Sequence, residues 1–148
     1  MKLNGVPVWQ ASWSGSFPNL RGVNTVLIDP YSCSSKAVTR FDTFISTNNA
    51  ALLRDYLNRL NTGAIVVGVS ADEPSHKLAT ALPALEAIGA DVADVGLRGA
   101  FGFIAQKGFP TKIVLRKALT EAESLDNQPQ FRTIIRGILV PRMPYCYL

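Results

Sequence analysis

An arginine flanked by glycines is the most chemically suggestive feature of the sequence. Arg98 lies in the stretch 96–108, in which Gly96, Gly99 and Gly102 recur at three-residue spacing. Glycine permits positive φ and the close approach of another backbone or a ligand, so Arg98 is predicted to lie on a tightly shaped turn. Its guanidinium offers five N–H donors in a rigid fork, which suits carboxylates or paired hydroxyls. The alternative is an arginine that braces a neighbouring loop, and the glycine spacing does not match a nucleotide-binding fingerprint.

The other titratable residues form no catalytic or metal-binding pattern. His76 is the only histidine, which excludes a multi-histidine metal site, and no nucleophile-elbow motif accompanies it. Asp72 and Glu73 are the only adjacent carboxylates, and neighbouring side chains commonly point apart, whereas a glycosidase needs two carboxyls facing each other across a cleft. Asp91 and Asp94 are the nearest approach to a calcium loop. We therefore expect a protein that is not an enzyme and that uses no cofactor and no metal.

The composition is that of a globular chain without a nucleic-acid or membrane signature. The 148 residues fit a single domain, 1–148, and the net charge of +4 comes from basic residues that are scattered, not clustered. No apolar run approaches the ~18–20 residues that cross a bilayer. We expect no nucleic-acid partner and no membrane insertion. Residues 1–7 lack the apolar core of a signal peptide, which fits a cytosolic chain or a mature or expressed fragment.

The two cysteines, Cys33 and Cys146, match no zinc motif. They could bridge each other, link two chains or remain reduced. Cys33 falls at the tip of a predicted hairpin, where a free thiol would be reactive, so a disulfide is the favoured state. Because either thiol could join two chains, a homodimer is one of the arrangements that the sequence allows.

Apolar and β-branched runs predict the strands that must position these residues. The segment 21–29 is rich in β-branched residues and 37–45 alternates apolar with polar, so the two are predicted to form a hairpin with a long loop. The run 64–70 is short and apolar, which is typical of a buried strand. Further strands are predicted over 6–13, 112–116 and 131–140, and directly after the Arg98 turn.

Two helices are predicted between these strands. The first spans about 46–61, with Ser46 or Thr47 as its cap and apolar residues at helical spacing. Two helices among at least six strands, several of them in hairpin order, indicate an α+β fold or a mixed sandwich.

The second helix follows the turn 72–75. Ser75 is its candidate cap, and Gly89 suits its C-terminal end. Pro83 lies inside the helix and is expected to kink it, because proline removes one backbone hydrogen bond.

Six segments occur in an order and spacing that are fairly specific when taken together. They are 21–29, 40–44, 63–69, 72–73, 77–89 and 96–108. In these segments the chain resembles the interleukin-like EMT inducer (ILEI) / PANDER-like domain family, which includes the stem domain of protein O-mannose N-acetylglucosaminyltransferase. The resemblance covers about residues 20–108.

The resemblance implies a compact mixed β-sandwich of two sheets with two main helices, in a secreted or extracellular protein. It also implies a pocket for a terminal sugar. The pocket is held by an arginine opening the first hairpin strand, an aspartate after the buried strand and an arginine on the glycine-flanked turn. Here those positions are Arg21, Asp72 and Arg98. A carboxylate that accepts from hydroxyls and arginines that donate to ring or acetamide oxygens suit a neutral sugar.

The chain differs from the family pattern around the turn arginine. Family members tend to have an aromatic residue, an aspartate and a tryptophan where this chain has Leu97, Gly99 and Phe101. We include Gly99 and Phe101 among the predicted sugar-binding residues, although the differences leave the identity of the sugar open. Alternatives for the same residues are an internal salt bridge between Arg21 and Asp72 and a core position for Phe101.

The leading functional hypothesis is therefore a lectin-like domain that binds a glycan or glycoprotein without catalysis. Binding is expected to be calcium-independent, because two arginines would repel a divalent cation. The second hypothesis is a secreted signalling or interaction protein that acts through a surface, with a dimer as one form. Cys33 and the tail 144–148, which contains Cys146, motivate it.

Overall fold

The chain folds around a five-stranded antiparallel sheet. The structure is a computed structural model that describes residues 2–3, 6–7, 21–32, 34–109 and 112–117. Its strands are β1 (Lys2–Leu3), β2 (Val6–Pro7), β3 (Gly22–Ile28), β4 (Ser35–Phe41), β5 (Ile65–Ala71), β6 (Ala100–Gln106) and β7 (Lys112–Lys117). Strands β1 and β2 pair with each other, and the other five form one sheet in the order β4, β3, β5, β6, β7. The helices are α1 (Thr47–Arg59) and α2 (Leu82–Ala87), with a 3₁₀ segment at Leu78–Ala81.

The central strands β3 and β5 are buried on both faces. Val23 and Val66 belong to the core that the sheet shares with the helices, whereas Val26 and Val67 are buried on the opposite face. Burial on both faces explains why β5 has a nearly continuous apolar run and β3 has only two polar residues, since a half-exposed strand would alternate. The predicted hairpin is confirmed as β3 paired with β4, and the predicted buried strand is confirmed as β5.

Helix α1 begins and ends close to the predicted positions. Ser46 is the N-cap: its backbone is extended, and its hydroxyl oxygen accepts a hydrogen bond from the Asn48 N–H at 3.0 Å. Leu53 and Leu57, one turn apart, are fully buried in the core. The apolar stripe read from the sequence is therefore the face that α1 packs into the core.

The second helix differs from the prediction in its first half. Residues Leu78–Ala81 form a 3₁₀ segment, and the α-helix proper begins at Leu82. The expected kink at Pro83 is wrong, because Pro83 lies in the first turn of α2, where its missing N–H needs no helical acceptor. The expected cap at Ser75 is also wrong, since no side chain caps either segment. Gly89 ends the helix with φ of +85°, as predicted.

The described residues confirm an α+β fold with one five-stranded sheet and two helices. The predicted sandwich requires a second sheet packed face to face on the first, and the described ranges do not show one. The strands predicted over 112–116 and after the Arg98 turn are confirmed as β7 and β6. The strand predicted over 6–13 is described only at Val6–Pro7, while Cys33, Cys146 and the strand predicted over 131–140 lie outside the described residues. Among the described helices, none is long and apolar enough to span a bilayer.

Candidate functional site

The three predicted anchors lie at one end of the five-stranded sheet. Arg21 directly precedes β3 and Asp72 directly follows β5. The last pair between these antiparallel strands is Gly22 with Ala71, so Arg21 and Asp72 leave the sheet next to each other. Strand β6 runs antiparallel to β5, which brings the turn before it, with Arg98, to the same end. The topology therefore gathers three residues that are far apart in the sequence.

Arg21 is oriented by a bidentate ion pair with Asp42, the residue that follows β4. Its Nε donates to both carboxylate oxygens at 3.0 and 3.2 Å, and its Nη2 donates to Oδ2 at 2.8 Å. The two side chains are 24% and 23% exposed, so the pair is accessible without being fully solvated. Arg21 therefore forms a salt bridge with Asp42, whereas the internal-salt-bridge alternative paired Arg21 with Asp72. Asp72 acts on Arg21 through its charge, which helps to raise the arginine pKa.

The pKa values of the pair reflect its hydrogen bonds. The bonds to Asp42 raise the pKa of Arg21, although burial opposes this. Burial alone would raise the pKa of the Asp42 carboxyl. The hydrogen bonds from Arg21 and from the backbone N–H groups of Ile45 and Phe44 outweigh that effect, so the pKa lies below its ordinary value. Both groups are charged at neutral pH.

Two aromatic rings lie beside this ion pair. The Arg21 guanidinium stands over the Phe44 ring, 4.5 Å from the ring centroid. The His76 ring lies on the same phenylalanine, with 5.1 Å between centroids. Buried Thr43 joins the two loops that carry these rings: its hydroxyl donates to the Pro74 carbonyl at 2.6 Å, and its carbonyl accepts the Lys77 N–H at 3.0 Å. The aromatic surface is thus fixed relative to the arginine.

Glu73 is the most buried acidic residue at this end of the sheet. Its Oε1 accepts the Ser75 N–H at 2.7 Å, the Ser75 hydroxyl at 2.6 Å and the His76 N–H at 3.0 Å. Its Oε2 accepts the N–H of Arg98 from the opposite loop. With 3% of the residue exposed, the carboxylate is satisfied by protein donors in place of water. Glu73 therefore ties the loop after β5 to the turn before β6.

Asp72 and Arg98 share an uncommon backbone conformation. They are the two non-glycine residues with positive φ in the described ranges, at +57° and +56°. Aspartate adopts this region more readily than most residues, whereas an arginine there is uncommon. Glycines 96 and 102 do not have positive φ, so the strain of the turn falls on Arg98 itself and not on the glycines expected to absorb it. Such strain persists only where the surroundings hold it, and it concentrates at functional sites.

Gly99 and Phe101 have structural positions. Gly99 is buried, and its N–H closes the turn by donating to the Gly96 carbonyl at 2.9 Å. Phe101 is 1% exposed, stacks on Phe103 with 6.5 Å between centroids and donates its N–H to the Ser70 hydroxyl at 2.8 Å. Its ring lies in the core, in agreement with the alternative for this residue, because strand alternation turns it toward the helices. The accessible aromatic surface at this end of the sheet comes from half-buried Phe44 and exposed His76.

Sequence reasoning missed four residues of this site. We call the following seven residues the sheet-end cluster: Arg21, Asp42, Phe44, Asp72, Glu73, His76 and Arg98. Asp42 lies within a segment already matched to the family, but the strand predicted over 37–45 ran past it, whereas β4 ends at Phe41. Glu73 carried a local signal in the serine two residues later, which a carboxylate at this position can bind. Nothing local indicates that Glu73 also reaches Arg98.

The sheet-end cluster combines positively charged hydrogen-bond donors with negatively charged hydrogen-bond acceptors. Arginine N–H groups and aspartate oxygens lie beside an aromatic surface, an arrangement that can bind a neutral ligand with several hydroxyls. In the described ranges no three histidine, cysteine, aspartate or glutamate side chains form a group that could hold a metal ion.

The fold and the cluster define an α+β domain that presents a polar, loop-built site at one end of its sheet. A family model, that of the interleukin-like EMT inducer, matches residues 21–109, and the chain belongs to this family. This match confirms the resemblance that the sequence indicated. The matched range also contains the whole sheet-end cluster. No curated protein matches the chain.

Proposed function

We propose that this protein is a non-enzymatic, lectin-like domain that binds a terminal sugar of a glycan or glycoprotein through Arg21, Asp72 and Arg98. The observation that carries the proposal is the left-handed backbone of Asp72 and Arg98. Two neighbouring loops maintain an unfavourable conformation at the two positions where the family pattern has ligand-binding residues. Both residues are exposed, so their side chains are accessible to a ligand.

The charges support a neutral polyhydroxylated ligand. Asp42 uses the Nε–H and one N–H of Nη2 of Arg21, which leaves three of the five guanidinium N–H groups outside the pair. The sheet-end cluster contains two arginines and three carboxylates, so an anion would gain little. The Phe44 and His76 rings offer an apolar surface of the kind that sugar rings pack against.

The carboxyl groups of the site support sugar binding without cleavage of a glycosidic bond. A glycosidase acid needs a carboxyl whose pKa is raised toward neutrality. The pKa of Asp42 is lowered instead, and the oxygens of Glu73 are occupied by four protein donors. We also propose an extracellular location, in keeping with a sugar ligand and with the resemblance.

Two substitutions that respect the backbone test the proposal. Arg98→Gly removes the guanidinium and suits the φ of +56°, and Asp72→Asn removes one charge with a residue that tolerates the same region. Each should abolish binding on a glycan array while the melting temperature stays within a few degrees of wild type. The matched controls are Arg54→Ala and Asp55→Asn, which break a partly exposed ion pair on α1 and should bind normally. If both site variants bind glycans as tightly as wild type, Arg98 and Asp72 do not form the sugar site.

A further inference from the structure

Glu73 joins two loops that meet only through the fold. Its own loop follows β5, while the Arg98 N–H that it accepts lies 25 residues further along the chain. The other three donors to its carboxylate come from Ser75 and His76. A buried charge of this kind is destabilising unless hydrogen bonds replace its lost hydration, and here four donors do so.

We propose that Glu73 is the positioning residue of the sugar site, holding the backbones of Asp72 and Arg98 in the left-handed region before a ligand arrives. This inference rests on the proposed function of the sheet-end cluster. Glu73 directly follows Asp72 in the chain, and its carboxylate accepts the backbone N–H of Arg98. Anchoring this one residue would therefore restrain both non-glycine residues that have positive φ in the described ranges. If φ returned to negative values, the Cα–Cβ bond would change direction, and each side chain would leave the site.

The geometry requires a carboxylate and not merely a polar side chain. Glutamine in the same place would keep one acceptor oxygen, which can serve the Ser75 and His76 donors. Its amide nitrogen would then face the Arg98 N–H, so a donor would meet a donor. Glu73→Gln therefore breaks the link between the loops selectively while leaving the volume of the side chain unchanged.

The expected effect on affinity follows from the fraction of protein in the binding conformation. A hydrogen bond to a charged group commonly shifts an equilibrium by a factor of roughly ten or more. If Arg98 occupies its bound backbone conformation in about a tenth of Glu73→Gln molecules, apparent affinity falls about tenfold. A purely structural glutamate would lower the melting temperature but leave affinity unchanged at temperatures where the variant is fully folded.

The first measurement uses the protein without ligand. In wild type, the Arg98 amide should exchange slowly with solvent and resonate downfield, as expected for an N–H bound to a carboxylate. Glu73→Gln should speed this exchange by roughly tenfold or more, whereas Glu86→Gln, the same change at an exposed glutamate of α2, should not. Rapid exchange of this amide in wild type would overturn the inference without any variant, which covers the case in which Glu73→Gln does not fold.

The second measurement uses a printed array of neutral mono- and disaccharides, well below the melting temperature of each variant. A fall of about tenfold for Glu73→Gln with normal binding by Glu86→Gln supports the positioning role. Equal binding by all three proteins overturns that role and leaves the proposed function intact. If wild type binds no sugar, the proposed function fails, and the role of Glu73 in a sugar site fails with it. The amide-exchange rates would then still decide whether Glu73 fixes the Arg98 backbone.

Discussion

Gly68 lies in the middle of β5, directly opposite Phe103 of β6, and the missing side chain makes room for the Phe103 ring. A Cβ at position 68 would lie 2.2 Å from Cε1 and Cζ of that ring, well inside the 3.4–4 Å of ordinary contact. Phe103 is 2% exposed and stacks on Phe101, so neighbouring core residues oppose any movement of the ring. The change Gly68→Ala therefore tests how tightly this part of the core is packed.

Two opposing effects set the change in the free energy of unfolding that Gly68→Ala causes. Replacing a glycine within a strand by alanine removes an entropic penalty of about 0.5–1 kcal/mol. The ring must in turn shift by about 1 Å or leave its preferred rotamer, and overpacking of this kind costs about 1–3 kcal/mol. We expect the clash to dominate, with a net loss of about 1–2 kcal/mol in the free energy of unfolding. For a domain of this size, that lowers the melting temperature by roughly 3–8 °C.

Urea unfolding followed by circular dichroism measures the effect, with two other glycines as matched controls. Gly96→Ala adds a methyl group with no atom within 4 Å, and Gly102→Ala meets its nearest atoms at 3.5 and 3.7 Å. Without a clash, neither variant should be less stable than wild type, and each should gain up to about 1 kcal/mol because the entropic penalty of glycine is removed. Adding Phe103→Leu to Gly68→Ala should recover part of the loss, because the smaller side chain relieves the clash. If Gly68→Ala is as stable as wild type, or if Gly102→Ala is equally destabilised, the packing assigned to Phe103 is wrong.

Three further predictions concern the ion pair, the helix cap and metal independence. Asp42→Asn should be less stable than wild type at pH 7 in urea unfolding. The variant should also lose less stability than wild type on acidification. The wild-type carboxyl has a folded pKa below its ordinary 3.8, so its contribution to the free energy of unfolding disappears as pH falls through that folded value. Parallel pH profiles of stability for the two proteins would contradict this. Ser46→Ala should lower the free energy of unfolding by about 1 kcal/mol in the same assay. Thr47→Ala, one residue inside the helix, should have a smaller effect. Glycan binding should persist in excess EDTA, and loss of binding that calcium restores would shift attention to a site built on other acidic residues.

Features that depend on neighbouring residues could be predicted from the sequence. The N-cap Ser46 and the apolar stripe that includes Leu53 and Leu57 define α1, because capping and helical periodicity act over one or two turns. The β-branched run that became β3 and the apolar run that became β5 have the composition of buried strands. The order of these segments was sufficient to identify the family, which the family model over residues 21–109 confirms.

The partners of each site residue were decided only by tertiary structure. Strand register puts Arg21 in reach of Asp42 across 21 residues, and the turn before β6 brings the Arg98 N–H to Glu73 across 25. Pro83 lies in the first turn of α2 because the preceding segment is a 3₁₀ helix, which a periodic pattern does not distinguish from a continuous α-helix. Local propensity selects elements from a few neighbouring residues, whereas pairings between distant loops depend on how the sheet and the helices pack together. The sequence by itself therefore determined which of these segments form strands and helices, and the packing of the sheet decided which side chains meet at its end.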